Sequence, residues 1–281
     1  MALPLPTSLT PSKVASFKDC ALAFRFSAVD RLPEPPSPWA AKGSLVHRAL
    51  ELLFWELAPG ERTAEAGLAL LDRAWDELQH DPEYTDLGLS DEEAGAFRAD
   101  AEDLVLRYFR LEDPNAVRVI GTELRLEVEV GSLKLRGIID RLELDADGEL
   151  VVTDYKTGRA PGERYEQGRL GGVQFYAFLC EQALGRRPAR VQLLHLREPV
   201  AIVHTPTEQS LRGLRTRAAA VWTAVERACA TEDFRPKPGP LCNFCAFKPW
   251  CPAFGGDPAR ARAEAQQAEA AGAPPRVPVP A

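Results

Sequence analysis

The stretch Gly137-Ile-Ile-Asp140-Arg-Leu-Glu-Leu-Asp-Ala-Asp147-Gly148-Glu-Leu-Val-Val-Thr-Asp154-Tyr-Lys156 decides how this chain is read. Two apolar runs flank Asp147-Gly148, a dipeptide that favours a tight hairpin turn. Each run carries an acid, so pairing of the strands sets Asp140 near Asp154. Two carboxylates so placed repel one another unless a cation lies between them or one takes up a proton. Oxygen donors of this kind suit a hard divalent ion such as Mg²⁺ or Mn²⁺. Lys156 lies two residues past Asp154 and therefore faces the same side of a strand. A lysine there can stabilise charge developing on a phosphate or help to place an attacking water. A salt bridge at a hairpin edge has the same spacing, so spacing alone leaves both readings open.

Working outward, the hydrophobic period is two on the strands and near 3.6 beyond them. Residues 117–130 alternate, with Leu124, Leu126, Val128 and Val130 on one face, and 133–144 alternate more loosely. Upstream, 12–25 reads as a helix with Ser12 as its N-cap, and 43–57 as a helix with Leu45, Val46, Leu50 and Leu53 on its apolar face. The proline-rich run from Leu32 reads as a stiff connector between them. Two more helical runs cover 63–78 and 91–111, the second opened by a Ser90/Glu93 capping box. Downstream come a helix over 167–184, strands at 191–196 and 200–204, and a helix over 211–229. This order predicts an α/β (α+β) fold, a mixed central sheet flanked by helices. The expected organisation is one domain over 1–255, with a helical insert at 61–113, and a disordered tail at 256–281 holding one fraying helix.

Further polar residues fall around the hairpin. His47 and Glu51 stand four apart on one helix face, as a metal ligand and a supporting acid would, although a lone helical histidine is more often structural. Gln174 and Tyr176 lie on the helix that follows Lys156, where an amide can hold a phosphate or order water.

His47 on a helix, Gly137-x-x-Asp140, Asp154-Tyr155-Lys156 and a Gln174-aromatic helix, in that order, resemble the RecB-type branch of the PD-(D/E)XK nuclease superfamily over residues 12–254. The resemblance implies a restriction-endonuclease-like fold. It implies a metal site of His47, Asp140, Asp154 and the Tyr155 carbonyl, with Lys156 catalytic and Gln174 supporting. The family pattern on the helix is usually Gln-x-x-x-Tyr; here Phe178 takes the tyrosine position and Tyr176 follows Gln174 by two.

Cysteines form a second constellation. Cys242-Asn-Phe-Cys245 is followed by Cys251 in a proline- and glycine-rich segment, which suggests a metal site lacking one ligand; spacing alone permits zinc. Cys180 and Cys229 fall in helical runs and read as buried thiols. Cys20 stands apart, ahead of the sheet region. Some RecB-type nucleases, including AddB-like and CRISPR adaptation nucleases, carry one cysteine before the core and such a triplet after it. That resemblance implies an iron–sulfur [4Fe–4S] cluster on Cys20, Cys242, Cys245 and Cys251, acting as a structural staple, with zinc as the alternative.

Composition sets outer bounds. The 281 residues are 45% hydrophobic, and the net charge is −7, which by itself argues against a general nucleic-acid binder. The charge is unevenly spread: 61–113 holds 16 acids against five arginines, whereas 185–222 holds seven arginines against two glutamates. DNA is expected to avoid the first segment and meet the second. No apolar run is long enough for a membrane span and no secretory signal is evident, so a cytoplasmic location is expected. No P-loop occurs, so a helicase partner would be a separate polypeptide. Together these features predict a metal-dependent DNA nuclease, RecB-family exonuclease-like, acting on single strands or duplex ends in DNA repair or recombination. The alternatives are a catalytically silent DNA-binding or scaffold subunit of a helicase–nuclease complex, and a zinc-binding cysteine protein.

Overall fold

Helix caps and strand register in this chain are set locally, and the computed structural model, which describes residues 2–160 and 166–270, shows both. Five strands pair in the order β1 (Arg118–Val130), β2 (Leu133–Leu144), β3 (Leu150–Lys156), β4 (Arg190–His195), β5 (Val200–His204). β2 and β3 are antiparallel, β3 and β4 parallel, and β4 and β5 antiparallel, so the sheet is mixed as expected. The parallel step requires a crossover, supplied by α7 (Glu166–Leu184). β3 is buried along nearly its whole length, as a central strand with covered faces should be.

Helices α3 (Pro38–Glu56), α4 (Ala64–Leu78) and α6 (Asp91–Tyr108), with the single turn α5 (Pro82–Thr85) before the last, pack together beside the sheet. Leu45, Leu50 and Leu53 of α3, Leu71 of α4 and Leu104 of α6 are almost wholly buried in one cluster with Tyr155 and Leu194 from the sheet. The Ser90/Glu93 capping box is present, with Ser90 N donating to the Glu93 carboxylate at 2.9 Å. α3 begins five residues earlier than the expected 43, because Ser37 caps Ala40 N and Pro38 takes the first helical position. The proline-rich connector therefore ends in a helix start.

The chain divides into two compact units. One comprises 36–128 and 136–214; the other comprises 1–35, 129–135 and the chain from 215. In the second unit, α1 (Pro11–Asp19) is capped by Thr10, whose hydroxyl accepts from Lys13 N at 3.2 Å, and not by Ser12. The expected continuous helix over 12–25 breaks at Cys20, which is extended (φ −158°, ψ 111°). α2 (Ala21–Phe24) and a π-turn (Arg25–Val29) follow. The anticipated tail at 256–281 is in part a packed helix, α9 (Pro258–Ala270). Ala261 is buried, Arg262 pairs with Asp30 at 2.6 Å and Glu264 accepts from Trp250 Nε1 at 2.6 Å. The remainder of that tail, 271–281, lies outside the described residues.

The β2–β3 turn also differs in detail from the expected two-residue form. Leu144 pairs with Leu150, leaving five residues in the loop. Asp145 organises it, its carboxylate accepting from the amides of Asp147 (3.0 Å) and Glu149 (2.9 Å).

Candidate active site

The hairpin register pairs Arg141 with Thr153, so Asp140 and Asp154 stand opposite each other one step further on. Asp140 accepts a hydrogen bond from Tyr155 N at 2.7 Å. His47 arrives from α3: Nδ1 lies 3.5 Å from Asp140 Oδ2, and Nε2 lies 3.2 Å from the Tyr155 carbonyl oxygen. Lys156 Nζ sits against Asp154 Oδ2 as a charge pair, and that buried oxygen has no aligned hydrogen-bond partner. Thus His47, Asp140, Asp154, Tyr155 and Lys156 do converge. Gln174 lies half-buried on α7.

One member of the constellation is absent from the sequence reading. Glu123 of β1 brings a carboxylate oxygen within 4.8 Å of ligand atoms of His47 and Asp140, and among the described residues these three form the one such set. Its backbone is left-handed (φ 46°), a conformation that costs a non-glycine residue free energy and concentrates at functional sites. The alternation of β1 holds where Leu126 and Val128 are buried, but fails over 121–124, where four successive residues are half-buried.

Tyr176 also belongs here. Burial, then the nearby Asp154 and Asp140 charges, pushes its phenol well above the usual range. Phe178, in the family's usual tyrosine position, is buried in the core. Gly137 makes the approach of α7 possible: a Cβ there would lie 2.7 Å from Leu179 Cδ1 and 3.2 Å from Tyr176 Cε1.

Electrostatics mark the centre as one that wants a cation. Burial, then the Asp154 charge, pushes the Asp140 carboxyl up to about 7. Glu123 is raised by burial and by Asp140. His47 is lowered, chiefly by burial, which favours the neutral imidazole that can donate a lone pair. The donor set is one imidazole with carboxylate and carbonyl oxygens, suited to Mg²⁺ or Mn²⁺. The residues present fit a divalent ion.

Behind the site lies Arg141, fully buried. It bonds Glu143 and Glu112, Tyr155 Oη at 3.0 Å, Thr153 Oγ1 at 3.1 Å and Tyr108 Oη at 3.2 Å. The same tyrosine whose main chain faces His47 and Asp140 is therefore anchored by its hydroxyl.

The arginines of 185–222 are less available than expected: Arg186, Arg190 and Arg197 pair with Glu149, Asp145 and Asp100.

The cysteines occupy the other unit. Cys20, Cys242, Cys245 and Cys251 line a cavity of about 700 Å³. Burial raises the Cys245 thiol, with smaller contributions from the other three. No three of the sulfurs come within 4.8 Å of one another. Gly256 closes the Cys251 loop; a Cβ there would fall 2.2 Å from the Pro249 carbonyl oxygen. Cys180 and Cys229 are buried, as expected.

Residues 8–252 match the family model described as PD-(D/E)XK nuclease superfamily. The gene 69 protein of Mycobacterium phage D29 is 26% identical, over 86% of this chain and 96% of its own. The gene 69 protein of Mycobacterium phage L5 is 29% identical over 47% of this chain and 44% of its own. A crystal structure from Eubacterium rectale, described as a candidate exonuclease, superposes with a TM-score of 0.57 at 13% identity, covering 85% of this chain and 86% of that one. Among the described residues, no helix is long and apolar enough to cross a membrane.

Proposed function

The chain belongs to the PD-(D/E)XK nuclease superfamily and is a nuclease, and from that premise we propose that it is a metal-dependent DNA exonuclease of the RecB type. The observation that carries the proposal is the convergence of His47, Glu123 and Asp140 beside the Asp154–Lys156 pair.

His47, Glu123, Asp140 and the Tyr155 carbonyl would hold Mg²⁺ or Mn²⁺, with Asp154 alongside. When bound, such an ion supplies Lewis-acid stabilisation of the phosphate and a more acidic water. Lys156 Nζ, half-exposed beside Asp154, is placed to stabilise the negative charge that develops on the phosphate oxygens. Tyr176 stands near the Asp154 carboxylate, and Gln174 on the same helix would order water or phosphate. Neutral His47 keeps its lone pair for the cation, while Asp140, raised by burial and by Asp154, must lose its proton to join it.

In the other unit, Cys20, Cys242, Cys245 and Cys251 would hold a [4Fe–4S] cluster. All four line one cavity of that unit, which supports a shared group, with zinc as the alternative. The cluster would staple the Cys20 helix break to the irregular C-terminal turns. Cys20→Ala is expected to lose bound metal and lower the melting temperature together; unchanged metal content and melting would remove the four-cysteine assignment. DNA repair or recombination, with any helicase on a separate polypeptide, is the cellular setting this reading implies.

The test of the activity is digestion of end-labelled linear and covalently closed DNA, single-stranded and duplex, with Mn²⁺. The proposal expects linear molecules to be shortened from their ends and circles to survive. Cleavage of circles at the same rate would make the enzyme an endonuclease, and no cleavage of any substrate would favour the scaffold reading.

A further inference from the structure

His47, Glu51 and Trp55 follow one another at four-residue steps along α3, spanning ~12 Å of one helix side. His47 lies at the candidate cation centre. Trp55, at the other end, is 76% exposed and, among the described residues, stacks on no other ring. A groove of about 450 Å³ runs there, lined by Trp55, Leu52, Thr122, Glu123 and Arg125 among others. Glu123 is thus shared between the groove and the cation centre.

The charges of the groove are mostly satisfied within the protein. Arg48 pairs with Glu51 and Glu77, each at 2.8 Å, and Glu56 pairs with Arg73 at 2.5 Å. Arg125 is exposed and, among the described residues, makes no ion pair; its charge acts on Glu123. Once a cation occupies the centre that Glu123 helps to form, Arg125 is left as a guanidinium available to an anion. Thr122 Oγ1, in the same lining, is buried without a hydrogen-bond partner. An open aromatic face, an available arginine and a shared wall with the cation centre match the chemistry of a nucleotide: a flat base and a phosphate.

We propose that this groove is a subsite for one unpaired nucleotide next to the cleaved phosphate, the base stacking on Trp55 and the flanking phosphate meeting Arg125. The inference rests on the nuclease reading and deepens it, because it assigns single-stranded substrate. A base inside a duplex has both faces covered by its neighbours and offers none to Trp55.

The test is binding of a short labelled single strand and of a blunt duplex, followed by fluorescence anisotropy with Ca²⁺ in a Lys156→Ala background. Cleavage by otherwise wild-type protein with Mn²⁺ is measured in parallel. Trp55→Ala and Arg125→Ala should each weaken single-strand binding about tenfold, with duplex binding unchanged. Trp55→Phe should retain most of the affinity, since a smaller ring still stacks. Trp39→Ala is the control: Trp39 is also exposed on α3, at 70%, but carries the Lys42 ammonium 5.1 Å from its ring. Undiminished single-strand binding by Trp55→Ala, in protein whose wild-type form cleaves DNA, overturns the subsite and leaves the nuclease reading standing. Equal loss on both substrates also overturns it. Failure of the wild type to cleave any DNA overturns the nuclease reading on which it rests.

Discussion

Lys156→Ala should lower the rate of DNA cleavage by at least about 10²-fold while leaving DNA binding close to that of wild type. The magnitude is that of removing one preorganised charge from a developing oxyanion. Lys156 is half-exposed and pairs with Asp154, so little packing goes with it. Loss of the lysine also leaves Asp154 more negative, which should tighten cation binding slightly. The assay is single-turnover cleavage at saturating Mn²⁺, which separates chemistry from binding. A rate within a fewfold of wild type would show that Lys156 is a surface ion pair and nothing more.

Arg141→Ala is expected to destabilise the fold by about 3–5 kcal/mol, the usual cost of removing one partner from a buried ion pair. The side chain is completely buried, and its guanidinium lies 4.6 Å from the centre of the Phe54 ring. Without it, Glu143, itself buried, and Glu112 face each other and two tyrosine hydroxyls with no cation among them. Arg141→Lys should recover little, because one ammonium cannot replace a planar fork that bonds two carboxylates, two phenols and a threonine. Denaturant unfolding measures both variants. Wild-type stability in Arg141→Ala would mean that the carboxylates are protonated and the charge network contributes nothing. The site should suffer as well, since the Tyr155 hydroxyl loses its anchor at 3.0 Å while its main chain still faces Asp140 and His47.

What was legible in the sequence follows from how locally each feature is encoded. Asp140, Asp154 and Lys156 could be placed together because a short turn fixes a strand register and a period of two fixes the face. The turn falls at Asp147-Gly148, where Gly148 takes a φ of 76°, while the Asp145 carboxylate adds hydrogen bonds that no dipeptide signal reports. Glu123 was hidden because its left-handed backbone breaks the very alternation used to find strands. Arg141 looked like an ordinary strand residue; its burial depends on Glu112, almost thirty residues away, which no local pattern reports. The start of α3 was obscured by prolines, one of which occupies the first helical turn where it does no harm. The helix at 258–270 reads as unsupported in sequence because its partners, Asp30 and Trp250, lie outside it. Tyr176 reached Asp154 despite its offset from the family spacing, which sequence position alone could not foretell.

If His47, Glu123 and Asp140 form a cation centre, it should show in the melting temperature with and without Mn²⁺, for wild type and Asp140→Asn, at about pH 5 and pH 8. Asp140 is raised to about 7 in the folded protein from an ordinary carboxyl value, so folding favours its protonated form. Metal-free wild type therefore carries its full stability at low pH and loses it as pH rises from about 4 through 7, by a few kcal/mol. Asparagine keeps the acceptor for Tyr155 N without the charge, so metal-free Asp140→Asn should melt above wild type at pH 8. Mn²⁺ should then stabilise wild type strongly at pH 8 and weakly at pH 5, and the variant hardly at all. Equal stabilisation of the two proteins by Mn²⁺ at pH 8 would place the cation elsewhere and contradict the account.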